Sequence, residues 1–455
     1  MRIIIICSII MIVNSFLYKN FGIIRKPFNF KNQEISKNIE YKTSINNQNI
    51  INKISGFYGL IGPDSNNNIT DLFKLFNRNG IIQGIFFDKG NIHFIKNYIR
   101  TDKLLYEEIN GEIVMNNWNM LIFKIFEKMN LLPNILGLAN TALLKFNNKL
   151  YALNERDLPY ELIVNFKNKS IDTIRKVNLN YLKHFSAHSK VINNNLETID
   201  YSSMMPQFSY FIINNKLKKE KQININTKYM PMIHDFISLT DNIVILDSPM
   251  KFDIEQSKKA NIPLKFHPEL LSEFYIINKN NGNINKIMIK DSFFIFHYAN
   301  SYENNDYIIV YACVYDTFDF NNPYGNYGRY RKLLINKKTN ELKVLKNNEL
   351  EKYSLDFPIQ YKDLTILSIT EKLKITGFII VNDFKIVKKI NINKNILGEH
   401  SIIEIDNKPY IICFTNDSKN ISYITLYNIY DNNEISIKIP FNVTMGFHSI
   451  FYSFD

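Results

Sequence analysis

Cysteine is scarce, with 3 in 455 residues, and that excludes a fold held by a disulfide framework. Cys7 lies in an initial apolar segment, which leaves Cys313 and Cys413 as the pair elsewhere in the chain. Glycine (15) and proline (13) are sparse enough to exclude a glycine-rich repeat or a linker protein. There is no GxGxxG or Walker A motif to cradle a nucleotide phosphate, no zinc-finger spacing, no RNA-binding aromatic motif and no concentrated basic helix. A net charge of +12 arises from 55 basic and 43 acidic residues. Because the lysines are scattered, nucleic acid is not expected as a partner, and the charge reads as generic or as suited to an anionic membrane surface. Apolar residues at 45% exclude wholesale disorder.

What the chain has in quantity is aromatic side chains, 27 Tyr and 34 Phe, which favour strands. Short apolar runs recur: GIIQGIFF at 80–87, TALLKFNNKLYAL at 141–153, NIVILD at 242–247, FFIFHYA at 293–299, DYIIVYACVYD at 306–316 and KPYIICFT at 408–415. Asn, Asp, Gly and Lys separate several of them, as expected of strands joined by polar turns. Asn147 and Asn148 sit between TALLKF and KLYAL and predict a tight hairpin. The stretch at 116–137 predicts a helical interruption. The expectation is a large all-β domain with inserts. Propellers and barrels can spend this much chain on one architecture.

The amino terminus is Met1, Arg2 and an apolar segment to Val13, shorter than the roughly 18 residues of a membrane span, so it reads as a signal peptide. Lys19, Arg25, Lys26 and Lys31 follow with no acid before Glu34. A signal followed by a basic, acid-poor stretch is similar to the bipartite presequence of plastids reached through the secretory system. The alternative is a signal anchor followed by a basic loop, with an endomembrane or secreted destination. The expected division is a targeting segment at 1–33 and a single domain at 34–455.

Eight histidines are present, and four of them, His188, His234, His297 and His448, are far apart in the chain, so local spacing supplies no metal-site geometry. In a repeated strand architecture, distant residues can still converge on a central axis. The alternative is four strand-edge histidines with separate hydrogen bonds. His184 and His188 are close enough to share a strand face, which leaves a local two-histidine site open. His93, His267 and His400 have no assigned role.

The surroundings of the four histidines resemble the carotenoid cleavage oxygenase family. FSAHSK places His188 at the first iron-ligand position of that family, MIHDF places His234 at the second, FHYANSYE His297 at the third, and GFH near the carboxyl end His448 at the fourth. ANTALLKFNNKLYALNERDLPYEL at 139–162 adds a further family-like block, with Glu155 at a position where a carboxylate supports a ligand. Its DLPY segment resembles plant-type members. LDFPIQ at 355–360 puts Asp356 where Glu is typical, and GEH at 398–400 makes Glu399 the third carboxylate, with Glu404 near enough to compete. Aspartate is one methylene shorter than glutamate. The expectation at Asp356 is a missed direct bond, a small backbone shift or a bridging water. Ser189 stands where Pro is common and Ser449 where Gly is common, predicting a looser turn at the first site and a restricted or crowded one at the second.

The resemblance covers roughly residues 50–455. It implies a seven-bladed β-propeller with Fe(II) near its axis, capped by loops and helices over a hydrophobic tunnel. It further implies a non-haem iron dioxygenase that uses molecular oxygen to cleave a conjugated double bond of a carotenoid or apocarotenoid to carbonyl products. His188, His234, His297 and His448 would hold the iron, and Glu155, Asp356 and Glu399 would orient their rings. The expected partners are a hydrophobic polyene and, peripherally, a membrane; the expected compartment is the plastid. Alternatives are stilbene-type cleavage, a polyene isomerase, or a noncatalytic propeller that binds lipid or protein.

Overall fold

The structure is a computed structural model that describes residues 24–25, 28–65, 76–113, 120–129, 131–202, 205–253, 255, 264–320, 322–431 and 433–453. Of the expected targeting segment at 1–33, residues 1–23 and 26–27 lie outside the described residues.

Each apolar run of the sequence is a strand. The hairpin at 141–153 pairs Ala142–Phe146 with Lys149–Leu153, and its two asparagines both have left-handed backbone, φ 52° and 57°. That conformation is the one a two-residue turn needs to match the twist of its strands, and asparagine tolerates it well. Within the predicted helical stretch at 116–137, residues 116–119 and 130 lie outside the described residues; among the described ones Met120–Lys128 is a helix and 131–137 are irregular. Proline at 133 and glycine at 137 cannot sustain the helix.

The strands form seven consecutive antiparallel blades. The first holds Ile35–Asn38, Ser55–Pro63, Gly80–Asp88 and Asn91–Tyr98, and takes its fifth strand, Ser449–Ser453, from the other end of the chain. The second is Ala142–Phe146, Lys149–Leu153, Tyr160–Asn165 and Ser170–Lys176, and the third is Lys190–Ile192, Asn195–Tyr201, Gln207–Ile213 and Lys219–Asn226. The fourth is Ile237–Ser238, Asn242–Asp247, Glu273–Asn278 and Ile284–Met288; the fifth is Phe294–Glu303, Tyr307–Tyr315, Arg329–Asn336 and Leu342–Leu345. The sixth (Leu355–Tyr361, Leu364–Glu371, Lys374–Asn382, Lys385–Ile396) and seventh (Ser401–Ile405, Lys408–Asn416, Ser422–Asn428, Glu434–Ile439) are joined edge to edge where Asn395 and Ile396 meet Asn416 and Thr415.

The hydrophobic core divides in the same way, into seven seams between neighbouring blades. Phe57, Phe86 and Ile95 of the first blade pack on Leu150 and Tyr160 of the second. Equivalent seams join the second to the third, the third to the fourth, and so on. The seventh meets the first through Tyr58, Leu60, Phe94, Phe414 and Ile424. A sheet buried on both faces needs apolar residues at successive positions, which is why strands such as Gly80–Asp88 and Lys408–Asn416 are buried almost throughout. The fold is a seven-bladed β-propeller whose ring is closed by pairing of the chain's two ends. The first strands of the fifth, sixth and seventh blades touch in succession, then the closing strand, then the first strand of the second blade. These strands line the centre.

Closure leaves little room. The buried Phe57 ring lies against Gly84, where an added Cβ would come within 2.2 Å of the ring and 2.6 Å of the Tyr58 carbonyl. Gly84→Ala is expected to destabilise the fold by about 1–3 kcal/mol, seen as a lower urea midpoint with an unchanged slope. Beside the same strands, buried Lys96 donates to the Asn442 carbonyl. Burial lowers its pKa from 10.5 to about 8, against the opposing pull of Asp64. Between those values the unfolded chain binds a proton that the folded chain does not, so this lysine makes stability rise with pH across that window. Lys96→Met should remove that component when urea unfolding is compared at about pH 7 and about pH 10.

Candidate metal centre

Four imidazoles meet at the propeller axis. His188 immediately precedes the first strand region of the third blade, His234 that of the fourth, and His448 the closing strand, while His297 lies within the first strand of the fifth. Their ring centroids are 4.4–5.9 Å apart in all six pairings. One ring nitrogen from each lies within 4.8 Å of the others. His188 Nε2 is 3.0 Å from His234 Nε2 and 3.1 Å from His448 Nε2.

Three carboxylates stand behind these rings. Glu155 Oε1 lies 2.5 Å from His234 Nδ1, Asp356 Oδ1 2.7 Å from His297 Nδ1, and Glu399 Oε2 3.3 Å from His448 Nδ1. Glu155 follows the second strand of the second blade, Asp356 lies in the first strand of the sixth, and Glu399 precedes the first strand of the seventh. Counting around the axis, every blade supplies one residue of this constellation. All seven candidate residues therefore converge.

Asp356 reaches His297 directly, so the expectation of a missed or water-bridged contact is corrected. A bulge between Asp356 and Ile359 gives that strand one extra residue, and Phe357 has left-handed backbone at φ 50°. Bulges of this kind re-aim the side chains beside them. Tyr315 donates a 2.6 Å hydrogen bond to the other Asp356 oxygen. Glu404, the competitor of Glu399, is on the surface with Tyr361 and Lys362. His184 pairs with Asp200 at 2.9 Å outside the cluster, so the two-histidine alternative is not realised. His93 bonds Ser36 and Asn38, His267 meets Glu269, and buried His400 stacks near Phe378.

The two serine departures are accommodated. Ser189 Oγ lies 2.9 Å from the Ser186 carbonyl and 2.8 Å from the Thr198 hydroxyl. Hydrogen bonds, not a pyrrolidine ring, hold the first turn. Ser449 is not among the residues with left-handed backbone and needs no glycine; its N–H donates to Glu399 Oε2 at 3.0 Å.

The electrostatics favour a cation between the rings. A carboxylate accepts and cannot donate, so each facing Nδ1 carries the proton and the opposite Nε2 presents a lone pair. His297 Nε2 is buried and has no hydrogen-bond partner among the described residues. His188 can donate to only one of its two neighbours, so lone pairs are left facing one another. Burial, then the charges of His448, His234 and His297, hold the His188 imidazole well below its ordinary value. Burial lowers His234 too, against the pull of Glu155. At His297 burial acts downward, but Asp356, together with Asp235 and Glu399, brings the net shift upward. Burial would raise the Glu155, Asp356 and Glu399 carboxyls, yet their imidazole partners keep all three low and charged. Metal–imidazole bonds of about 2.0–2.1 Å put neighbouring ligand nitrogens about 3 Å apart, the spacing found around His188. The residues fit a divalent metal. Phe296 (5.3 Å from His234) and Phe357 (5.2 Å from His297) bound the centre with aromatic surface.

The sequence profile of the retinal pigment epithelial membrane protein family matches residues 50–369. The chain belongs to this family, that of the carotenoid cleavage oxygenases. Among curated relatives, carotenoid 9,10(9′,10′)-cleavage dioxygenase 1 of Arabidopsis thaliana is 26% identical over 281 residues, 57% of this chain and 52% of that protein. The match thus spans about half the length of such relatives. Crystal structures of cobalt-substituted Synechocystis apocarotenoid oxygenase (TM-score 0.74, 17% identity) and of Pseudomonas brassicacearum lignostilbene dioxygenase (0.73, 18%) share the fold, each over 94% of this chain and 97% of the other.

Sequence reasoning missed Tyr315 and Phe357. Nothing in the sequence near Tyr315 points to a carboxylate 41 residues away. Removing the hydroxyl leaves part of a buried charge unsolvated. Tyr315→Phe is expected to cost about 1.5–3 kcal/mol of stability in urea unfolding, while Tyr302→Phe on the surface should cost almost nothing.

Proposed function

We propose that the chain is an Fe(II)-dependent dioxygenase that cleaves one conjugated carbon–carbon double bond of a carotenoid or apocarotenoid to two carbonyl products. The observation that carries this reading is the convergence of four imidazoles, backed by three carboxylates, on the axis of a propeller of this family. His188, His234, His297 and His448 would hold the iron, and Glu155, Asp356 and Glu399 would orient their rings and offset the metal's charge. Iron held by these imidazoles would keep its positive charge and would supply the chemistry of oxygen activation. The protein's part is placement: Phe296 and Phe357 offer π-rich, apolar walls beside the metal, suited to holding a flat polyene and keeping water away. Both atoms of O₂ would end in the products, one on each carbon of the broken bond. No side chain is needed as a general base.

The same walls suit a shorter aromatic olefin, so stilbene-type cleavage is the second reading. Peripheral membrane contact is part of the proposal. Leu105 and Ile109 on helix Asp102–Asn110, and Ile125 and Met129 near helix Met120–Lys128, leave large apolar side chains exposed. No helix among the described residues is long and apolar enough to cross a membrane. The basic, acid-poor residues before Glu34 support the plastid as destination, with residues 1–33 as presequence and 34–455 as one domain.

The test is oxygen-dependent product formation by the Fe(II)-loaded protein on a panel of carotenoids, apocarotenoids and stilbenes, read by chromatography and mass spectrometry. A matched pair of cleavage products is expected, with loss of both iron and product in His297→Ala. Glu155→Gln and Asp356→Asn should weaken iron binding by about 10–100-fold. A folded protein that takes up no iron would overturn the reading in favour of a noncatalytic propeller. Full iron occupancy with only isomerised product would point to a polyene isomerase.

A further inference from the structure

Asp235 directly follows His234 in the chain, and its side chain is almost fully buried, with 3% exposure. One oxygen, Oδ1, accepts from Lys190 Nζ at 2.6 Å and from the Phe236 N–H at 2.8 Å. The other, Oδ2, accepts from the Tyr298 N–H at 3.0 Å. Lys190 opens the first strand of the third blade, two residues beyond His188. Tyr298 follows His297 in the first strand of the fifth. A single carboxylate thus touches the chain within two residues of three candidate ligands, each on a different blade.

The contact with Tyr298 has a specific cause. The strand Phe294–Glu303 is out of regular register around His297, with extra residues between Ile295 and Tyr298 and between Tyr298 and Asn300 relative to its partner. Bulges of this kind re-aim a side chain and interrupt the ladder. Asp235 supplies the acceptor for the Tyr298 amide at that irregularity, from the neighbouring blade. Without an acceptor, a buried amide is costly and the local backbone would be free to rearrange.

We propose that Asp235 is a positioning residue that fixes the mutual spacing of His188, His234 and His297 by clamping the three segments that carry them. The inference rests on the proposed metal-binding reading and adds a residue that acts through the ligands without touching the metal. Asparagine cannot replace it. Lys190 and the Tyr298 amide approach opposite oxygens of the carboxylate, so with an amide in its place one of these donors would face an NH₂ that only donates. The seams between the blades hold the ring together, and Asp235 adds a direct polar link among three of the segments that reach the axis.

The experiment is Co²⁺ titration of the metal-free full-length protein, with affinity from competition against a chelator and ligand geometry from visible ligand-field absorption. Wild type, Asp235→Asn, Lys190→Met and Glu197→Gln are compared at a temperature where circular dichroism shows each folded. Glu197→Gln is the control. The Glu197 backbone pairs with Lys190, but its side chain bonds Lys279 and Ser238 and not Asp235 or a ligand histidine, and the substitution removes the buried ion pair with Lys279 at the seam of the third and fourth blades. Asp235→Asn should bind Co²⁺ about 10–100-fold more weakly with an altered ligand-field spectrum. Lys190→Met should change both in the same direction by a smaller factor. Glu197→Gln should lower the unfolding midpoint but keep wild-type affinity and spectrum. Wild-type affinity and spectrum in Asp235→Asn would overturn the inference, as would an equal loss in Glu197→Gln. If Asp235→Asn does not fold, an unchanged Lys190→Met overturns it. A wild-type protein that binds no Co²⁺ overturns the metal reading instead.

Discussion

Everything in this molecule depends on the closure of the ring, where Ser449–Ser453 pairs with Ser55–Pro63 and the seventh blade packs on the first. An open stack of seven sheets would expose two apolar faces and two strand edges, and would have no axis. Joining the ends removes those edges and converts seven pairwise seams into one continuous shell. It also delivers His448, which lies just before the closing strand, to the three other histidines. Closure and assembly of the site are the same event.

Around that axis the protein sets buried charge against buried lone pairs. Three carboxylates stay ionised in an apolar surround only because imidazole N–H groups, the Tyr315 hydroxyl and the Ser449 amide satisfy them. Those bonds turn the remaining ring nitrogens inward, where His188 can donate to only one of its two neighbours and His297 Nε2 has no partner among the described residues. Inward-facing imidazole nitrogens are suited to gain from metal binding. Strand irregularities recur at these points, around His297 and around Asp356, because a regular strand has no means of tilting one side chain toward an axis.

The departures from family pattern show how backbone can compensate side chain. Aspartate, one methylene shorter than glutamate, lies within 2.7 Å of His297, on a strand that bulges just after it and has left-handed backbone at Phe357. Serine at position 189 exchanges a ring constraint for hydroxyl contacts to Ser186 and Thr198. In each case the substituted residue keeps the local geometry by a different physical route.

Much of this was legible in the sequence. Apolar runs bounded by polar turns give the strands, paired asparagines give a hairpin, and motifs around His188, His234, His297 and His448 identify the family and the candidate ligands, with Glu155, Asp356 and Glu399 beside them. These features are local, and short-range chain geometry carries them. The number of blades came only by resemblance, since repeats of such uneven strand length leave no fixed period. Tertiary structure alone decided which carboxylate faces which ring, that Asp356 reaches His297 directly, that Glu399 and not Glu404 serves His448, and that Asp235 and Tyr315 belong to the same construction. Those contacts join residues tens to hundreds of positions apart, and their partners are set by how the blades pack and by where each strand bulges.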